Sequence, residues 1–231
     1  GLIGSETLDQ TVASTFSDKN VGTGKTVTVN SIALADGTNG GLAGNYSISP
    51  GQSTIANITS KSLTVSGITA SDKTYDGSVT ATMDGTAAVY SGLLPGDTFD
   101  GSYTGVFSNA NVGTGKTVTI TPSYSGADVN NYTVTNQSST TADISAKALT
   151  ATASTANKTY DGGTTATTTL TFTGLVGTET LGQTVGSTFN NKNAGTGKTV
   201  TVNSITLADG SNGGLAANYS ISAGQTTTAH I

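Results

Sequence analysis

One frame, Phe-x-x-x-Asn-[Val/Ala]-Gly-Thr-Gly-Lys-Thr-Val, occurs three times in this chain, beginning at Phe16, Phe107 and Phe189. A recurrence of that length makes the chain a repeat protein, and the repeat limits every other reading. Residues 1–58 align with residues 174–231 without a gap, and about three quarters of the positions are identical. The middle copy diverges more but keeps the landmarks, with Gly92 to Phe107 matching Gly174 to Phe189. Between Lys116 and Asn131 it is five residues shorter than the outer copies, which removes a loop of the Asp36-Gly37-Thr38-Asn39-Gly40-Gly41 type. Loops absorb such deletions and strands do not.

Gly-Lys-Thr is also the end of a phosphate-binding loop, G-x-x-x-x-G-K-[ST]. The first glycine of that loop is missing in all three copies, its place being taken by Lys19, Ala110 and Lys192. Such a loop must open a helix. Here Thr-Val-Thr-Val or Thr-Val-Thr-Ile follows, an alternating β-branched run that reads as a strand. The segment is therefore read as a glycine turn feeding a strand, with Lys25, Lys116 and Lys198 at the strand entrance.

Composition supports many short strands. Only 10% of residues are charged and 34% hydrophobic, with 31 glycines among 231 residues. Thr, Ser and Asn fill most of the remainder, and no helical periodicity stands out. All nine basic residues are lysine and the net charge is -5, which excludes the basic stripe of a nucleic-acid binder. No apolar run reaches the length of a membrane span. The chain has no cysteine, and its first residue is Gly rather than Met, so it is expected to be a segment of something longer.

A further landmark, Lys-Thr-Tyr-Asp-Gly, stands at Lys73 to Gly77 and at Lys158 to Gly162. Each repeat opens with Lys-[Ser/Ala]-Leu-Thr, at Lys61 and at Lys147, 86 residues apart. The domain reading is thus a partial repeat over 1–60 lacking its first strands, and complete repeats over 61–146 and 147–231. In the last repeat, strands are expected near 148–154, 164–173, 183–189, 198–207, 217–222 and 226–231, with Val200, Val202, Tyr219 and Ile221 on the buried face. A helical turn is expected within 177–183, where Thr178-Glu179 resembles a cap and first turn. Pro50, Pro95 and Pro122 are placed in loops or at strand edges. The fold class is all-β: tandem small β-sandwich domains in an extended rod, with a β-grasp-like sheet carrying one short helix per repeat as the alternative. Junctions between repeats are short and contain no Gly/Ser linker.

These landmarks together resemble the YDG-type repeat: Lys-Thr-Tyr-Asp-Gly, Gly-Leu-x-x-x-[Glu/Asp]-Thr, Asn-x-Gly-Thr-Gly-Lys-Thr-Val, Asn-Tyr-[Ser/Thr] and Ala-x-Ile-x-x-Lys-x-Leu-Thr. Such repeats occur in tandem in very large surface proteins of Gram-negative bacteria, many similar to filamentous haemagglutinin. The resemblance covers the whole chain. It implies a secreted or surface-anchored adhesin or fibre at the bacterial cell surface, with this segment in the stalk. It brings no catalytic or ligand residues. The first repeat departs from the pattern by lacking its Tyr-Asp-Gly end.

The candidate chemistry is sparse. The sole histidine, His230, has Asn57 and Asp143 as counterparts, so the repeat does not require an imidazole. One histidine and no cysteine leave zinc sites and most nucleophile–base pairs unbuildable, and no enzyme is expected. Tyr75-Asp76-Gly77 and Tyr160-Asp161-Gly162 read as turns, with the tyrosine on the core and its hydroxyl at the rim; a surface tyrosine meeting a glycan is the functional alternative. Asp36, Asn39, Asp209 and Asn212 lie in glycine-rich loops that offer oxygen ligands to calcium, the one cofactor considered, though each loop has a single carboxylate. Glu6, Asp97 and Glu179 occupy equivalent places. An isopeptide bond assisted by them would take Lys25, Lys116 or Lys198 as amine; the plainer reading is an acid capping a turn. Asn45, Asn57, Asn131, Asn136 and Asn218 each begin an Asn-x-[Ser/Thr] sequon. Threonine runs such as Thr167-Thr168-Thr169 lack the short regular coil an ice-binding array requires.

The expected function is mechanical, a stalk or fibre segment that spaces an adhesive region from the cell surface. The alternatives are weak multivalent binding of glycans or matrix and self-association by strand exchange between like chains. The partners expected are neighbouring repeats of the same chain, surface glycans or like chains, with no nucleic acid and no membrane insertion.

Overall fold

The structure, a computed structural model, describes all 231 residues. It is built from β-strands and contains no α-helix. The only helical pieces are three-residue 3-10 turns at Ala43–Asn45, Val129–Asn131 and Ala216–Asn218, each leading into the Asn-Tyr segment of its repeat. The helix of the β-grasp alternative is therefore absent. So is the helical turn expected within 177–183. The Glu179 amide donates to the Val176 carbonyl at 3.1 Å, Gly177 sits at φ 55°, and strand Leu181–Phe189 begins directly afterwards. A residue in the left-handed region cannot continue a right-handed helical turn, and the spacing of cap-like residues did not reveal it.

The chain divides into two compact units, and both draw on the middle repeat. The first comprises residues 1–66, 88–102 and 123–136. Its antiparallel sheet runs Leu8–Phe16, Gly22–Asp36, Ser53–Ile58. A second sheet places Lys61–Ser66 between Tyr132–Thr135, to which it is parallel, and Val89–Ser91, to which it is antiparallel. Leu63, Phe99 and Tyr132 form the buried cluster of this unit, with Tyr90, Leu93, Tyr124, Val129 and Val134 packed on it. The Phe99 ring meets Tyr90 and Tyr132 edge-on at centroid distances of 5.5 and 6.0 Å, an arrangement aromatic quadrupoles favour.

The second unit comprises residues 67–87, 103–122 and 137–231. A five-stranded sheet has the order Lys73–Thr74, Ser139–Ser145, Gly113–Ser125, Asp100–Phe107, Thr80–Ala81. A four-stranded sheet has the order Thr165–Ala166, Leu181–Phe189, Lys198–Asp209, Thr226–Ala229. The main buried cluster gathers Tyr75, Ala81, Phe107, Val118, Ala142 and Ile144 from the second repeat with Leu149 and Tyr219 from the third. A separate cluster, Ala166, Phe189, Val200 and Ala229, lies wholly in the third repeat. Each complete repeat thus leaves part of its apolar face to be covered by a neighbour.

Bulges in the long strand explain why the recurring frame looks as it does. In Gly-Thr-Gly the second glycine has φ near 60° in every copy: Gly24 63°, Gly115 58° and Gly197 60°. The pairing slips there, since Gly22 faces Ile58 while Lys25 faces Ala56. This is a glycine-dependent bulge. Its freed amide is taken by the side chain opposite: Gly24 N–H donates to Asn57 Oδ1 at 2.9 Å, Gly115 to Asp143 Oδ1 at 2.7 Å, and Gly197 to His230 Nδ1 at 3.0 Å. Three residue types do one task, which accounts for the lone histidine. The second bulge sits at Asn203, where Ser187 faces Val202 but Gly186 faces Ser204. The extra residue resets the alternation, so Val200, Val202, Ile205 and Leu207 share one face despite their odd spacing. Asn30 does the same in the first repeat, and both amides donate to a threonine hydroxyl across the ladder.

Pro122 lies inside strand Gly113–Ser125, but only past the last residue paired with Ser139–Ser145. The Ile120 amide donates to that side, to Ser138 O at 3.0 Å; two residues on, the missing proline N–H faces no ladder. Phe107 is 2% exposed and its counterpart Phe16 is 41% exposed. Phe107→Ala is expected to destabilise its unit by about 3–5 kcal/mol and Phe16→Ala by under about 1 kcal/mol. Urea unfolding of the two variants measures the contrast.

Candidate functional site at the repeat junction

The acid of Gly-Leu-x-x-x-[Glu/Asp]-Thr is held by a tight turn and aimed at the tyrosine of Asn-Tyr in the same repeat. The Tyr219 hydroxyl donates to Glu179 Oε2 at 2.6 Å, Tyr132 donates to Asp97 Oδ2 at 2.5 Å, and Tyr46 donates to Glu6 Oε2. Each hydroxyl in turn accepts a backbone amide, from Val176 at 2.9 Å, Leu94 at 3.1 Å and Ile3 at 3.1 Å. The turn is made two ways. Gly4 and Gly177 take positive φ directly after the first residue, whereas Pro95-Gly96 puts the positive φ one residue later. The acid therefore closes a turn, as the plainer reading held, but by accepting tyrosine hydroxyls.

The other carboxylate oxygen faces the preceding repeat. In the second unit, Tyr75 of Lys-Thr-Tyr-Asp-Gly donates to Glu179 Oε1 at 2.7 Å, and its ring meets Tyr219 edge-on at 5.4 Å. Gly77 approaches so closely that a Cβ there would stand 2.8 Å from Val176 Cγ1. Beside it, the Val112 amide donates to Asn218 Oδ1 at 2.9 Å, and Asn218 Nδ2 donates to Asn111 Oδ1 at 3.1 Å. Asn218 is 1% exposed. In the first unit the same pattern joins the first repeat to the second. Val21 N–H donates to Asn131 Oδ1 at 2.9 Å, and Asn131 Nδ2 donates to Asn20 Oδ1 at 3.1 Å. There the second partner of the acid is Lys19, 2.7 Å from both Asp97 Oδ1 and Asp128 Oδ1.

These contacts shift the ionisations. Burial, then the bond to Glu179, pushes the Tyr75 hydroxyl up to about 12. The same causes raise Tyr219, and burial followed by Asp97 raises Tyr132. The Lys19 ammonium, followed by the Tyr132 hydroxyl, holds Asp97 below the usual carboxylate range. Lys19 and then the Thr98 amide do the same for Asp128.

The other candidates have local tasks. In Tyr-Asp-Gly, Asp76 Oδ1 accepts the Ser78 amide at 2.8 Å and Asp161 Oδ1 the Gly163 amide at 2.9 Å, with Gly77 and Gly162 at φ 78° and 81°, so the turn reading holds. Tyr75 is buried, but Tyr160 is 55% exposed. Asp36 and Asp209 each accept a backbone amide, from Ala43 and Ala216, at 2.7 Å. Asn39 and Asn212 take positive φ and donate to Ser5 and Thr178 carbonyls at 3.0 Å. All four staple their loops, and no three Asp, Glu or His side chains converge. Lys25, Lys116 and Lys198, the amines of the isopeptide reading, have their bonds elsewhere than at Glu6, Asp97 and Glu179, the acids that would assist it. The lysines reach Asp18, Asn109 and Asn191 and close the Phe-x-x-x-Asn loop. The sequon at Asn218 is buried in the folded chain. A cavity of about 540 Å³ is lined by residues 148–151 and 220–225, all small, apolar or uncharged.

The sequence reading missed the asparagine pairs and the tyrosine–carboxylate bonds. Their signal was present, since Asn20, Asn111 and Asn193, like Asn45, Asn131 and Asn218, recur at fixed places in the repeat. Fold and junction define an all-β tandem-repeat protein whose repeats interlock through side-chain hydrogen bonds. A model of the YDG domain matches residues 1–54, 59–142 and 145–229, and the chain belongs to that family. Among curated proteins and among solved structures, nothing matches the chain.

A tyrosine whose folded pKa lies above the unfolded value of about 10 contributes stability that is intact below pH about 10 and lost as pH rises through the folded value. The second unit is therefore expected to lose stability between pH about 10 and about 12. Tyr75→Phe should make that decline shallower, as read by thermal unfolding across the alkaline range.

Proposed function

We propose that this chain is a structural stalk or fibre segment of a bacterial surface adhesin, a set of small β-sandwich repeats strung into an extended rod outside the cell. Its role is mechanical and not catalytic: it spaces an adhesive region from the surface. The observation that carries this reading is the shared core of the second unit, in which Tyr75, Phe107 and Ile144 of one repeat pack with Leu149 and Tyr219 of the next. Repeats that only hung on linkers would bury their apolar faces separately and bend freely. Repeats that share a core resist bending, and their stability depends on their neighbours.

Two further features favour the reading. The asparagine bond between successive repeats occurs in both units, Val21 to Asn131 and Val112 to Asn218, so the junction is a property of the repeat. The exposed strand faces carry threonine and serine with only 10% charged residues in the whole chain, a surface suited to a long array without strong self-repulsion. Small-angle X-ray scattering on the purified chain tests the proposal. A thin rod whose cross-section matches one β-repeat is the expected result, and a compact particle would overturn it.

A further inference from the structure

The opening and closing segments of a repeat run side by side in the same direction. In the second repeat, Lys61–Thr64 pairs in parallel with Tyr132–Thr135 in the first unit. Lys73–Thr74 pairs in parallel with Ile144–Ser145 in the second unit. Both pairings hold one register, 71 residues apart, and the Asp143 amide keeps it by donating to Asp72 Oδ1 at 2.7 Å. Gln137 takes both main-chain groups of Ile68. Its Oε1 accepts the amide at 3.0 Å and its Nε2 donates to the carbonyl at 2.7 Å. The third repeat, all of it within the second unit, is built the same way. Lys147–Ala148 pairs in parallel with Tyr219–Ser220, and the Leu149 amide donates to the Ser220 carbonyl at 2.8 Å. At the far end the Lys158 amide donates to the His230 carbonyl at 3.0 Å, and the His230 amide to Asn157 Oδ1 at 2.8 Å. Between these ends the segments slip by one residue and part around the cavity lined by residues 148–151 and 220–225. Buried Leu149 and Ala229 back the two ends.

Strand direction decides how such a ladder fails under tension. If the two segments were antiparallel, the chain would enter and leave the repeat at the same end. Tension would then peel the bonds apart one at a time. Because the segments are parallel, the chain enters beside Tyr219 and leaves past His230, at opposite ends of the ladder. Tension along the chain slides one segment past the other, and the bonds at both ends share the load.

We propose that the paired opening and closing segments are a mechanical clamp, which makes the repeat resist tension along the chain better than tension across it. Asn157 and Asp72 are positioning residues of the clamp, each holding a main-chain amide of the closing segment. The inference deepens the stalk reading by naming the element that bears load, and it rests on that reading for the source of the load. The direction of the ladder does not depend on the shape of the array. A compact particle in scattering together with a strong clamp would remove the rod and leave the clamp.

The chain has no cysteine, so two introduced thiols fix the direction of pull on the full chain in single-molecule force spectroscopy. Lys147→Cys with a cysteine appended after Ile231 pulls along the clamp. Lys147→Cys with Ser220→Cys, the latter at an exposed position, pulls the two segments apart at one end. At one pulling speed, the first geometry should need a force at least about twofold higher, because its bonds break together. Equal forces, or a lower force along the clamp, overturn the proposal. Asn157→Ala, also at an exposed position, removes the acceptor of the His230 amide. Under a fixed load along the clamp it should raise the unfolding rate about two- to tenfold, the worth of one hydrogen bond. It should leave the rate in the other geometry unchanged, which a loss of general stability would not. No rise along the clamp, or the same rise in both directions, overturns the role. The measurement along the clamp needs only the first pair of thiols, so it stands even if Ser220→Cys disturbs the fold.

Discussion

Glu179 accepts one hydroxyl from Tyr75 and another from Tyr219, and the two rings meet edge-on beneath it. Glu179 is half-buried, and a lost partner would leave one of its oxygens short of a bond. One donor comes from its own repeat and one from the repeat before. The bond therefore ties the folding of one repeat to the presence of the next. The apolar cluster around it follows the same rule, because Phe107 and Ile144 share it with Leu149 and Tyr219 of the next repeat.

Where the pattern is altered, the altered residue shows what is required. The second partner of Asp97 is the Lys19 ammonium, where Glu179 has the Tyr75 phenol. An ammonium and a phenol share little except the ability to donate to a carboxylate. The bulge opposite Gly-Thr-Gly makes the same point, with Asn57, Asp143 and His230 each accepting one amide. The repeat specifies hydrogen-bond roles more strictly than residue types. In the first repeat, Glu6 and Tyr46 keep the same mutual bond.

Much of this fold was legible in the residues. Thr-Val-Thr-Val alternation placed strand Lys198–Asp209 correctly, and Tyr-Asp-Gly gave the turn because aspartate and glycine have few other ways to sit together. The helical turn near Glu179 was misread because Thr-Glu also looks like a cap; only the φ of Gly177 distinguishes the two. The odd spacing from Val202 to Ile205 concealed a bulge that no period-2 count contains. The junction was hidden for a different reason. Asn111 and Asn218, or Tyr75 and Glu179, lie about a hundred residues apart, and single-residue chemistry gives no hint that a neighbouring repeat supplies the partner. Lysine beside a glycine-rich turn offered an amine for an acid-assisted isopeptide bond, yet the geometry commits each lysine to the loop seven residues before it.

The claim that successive repeats are coupled through the shared carboxylate is tested most directly by a double-mutant cycle on Tyr75→Phe and Glu179→Ala, followed by chemical unfolding. The account predicts a coupling of about 1–2 kcal/mol, because each substitution removes the same bond. Strictly additive losses would mean that Tyr75 and Glu179 contribute independently, and that packing alone joins one repeat to the next.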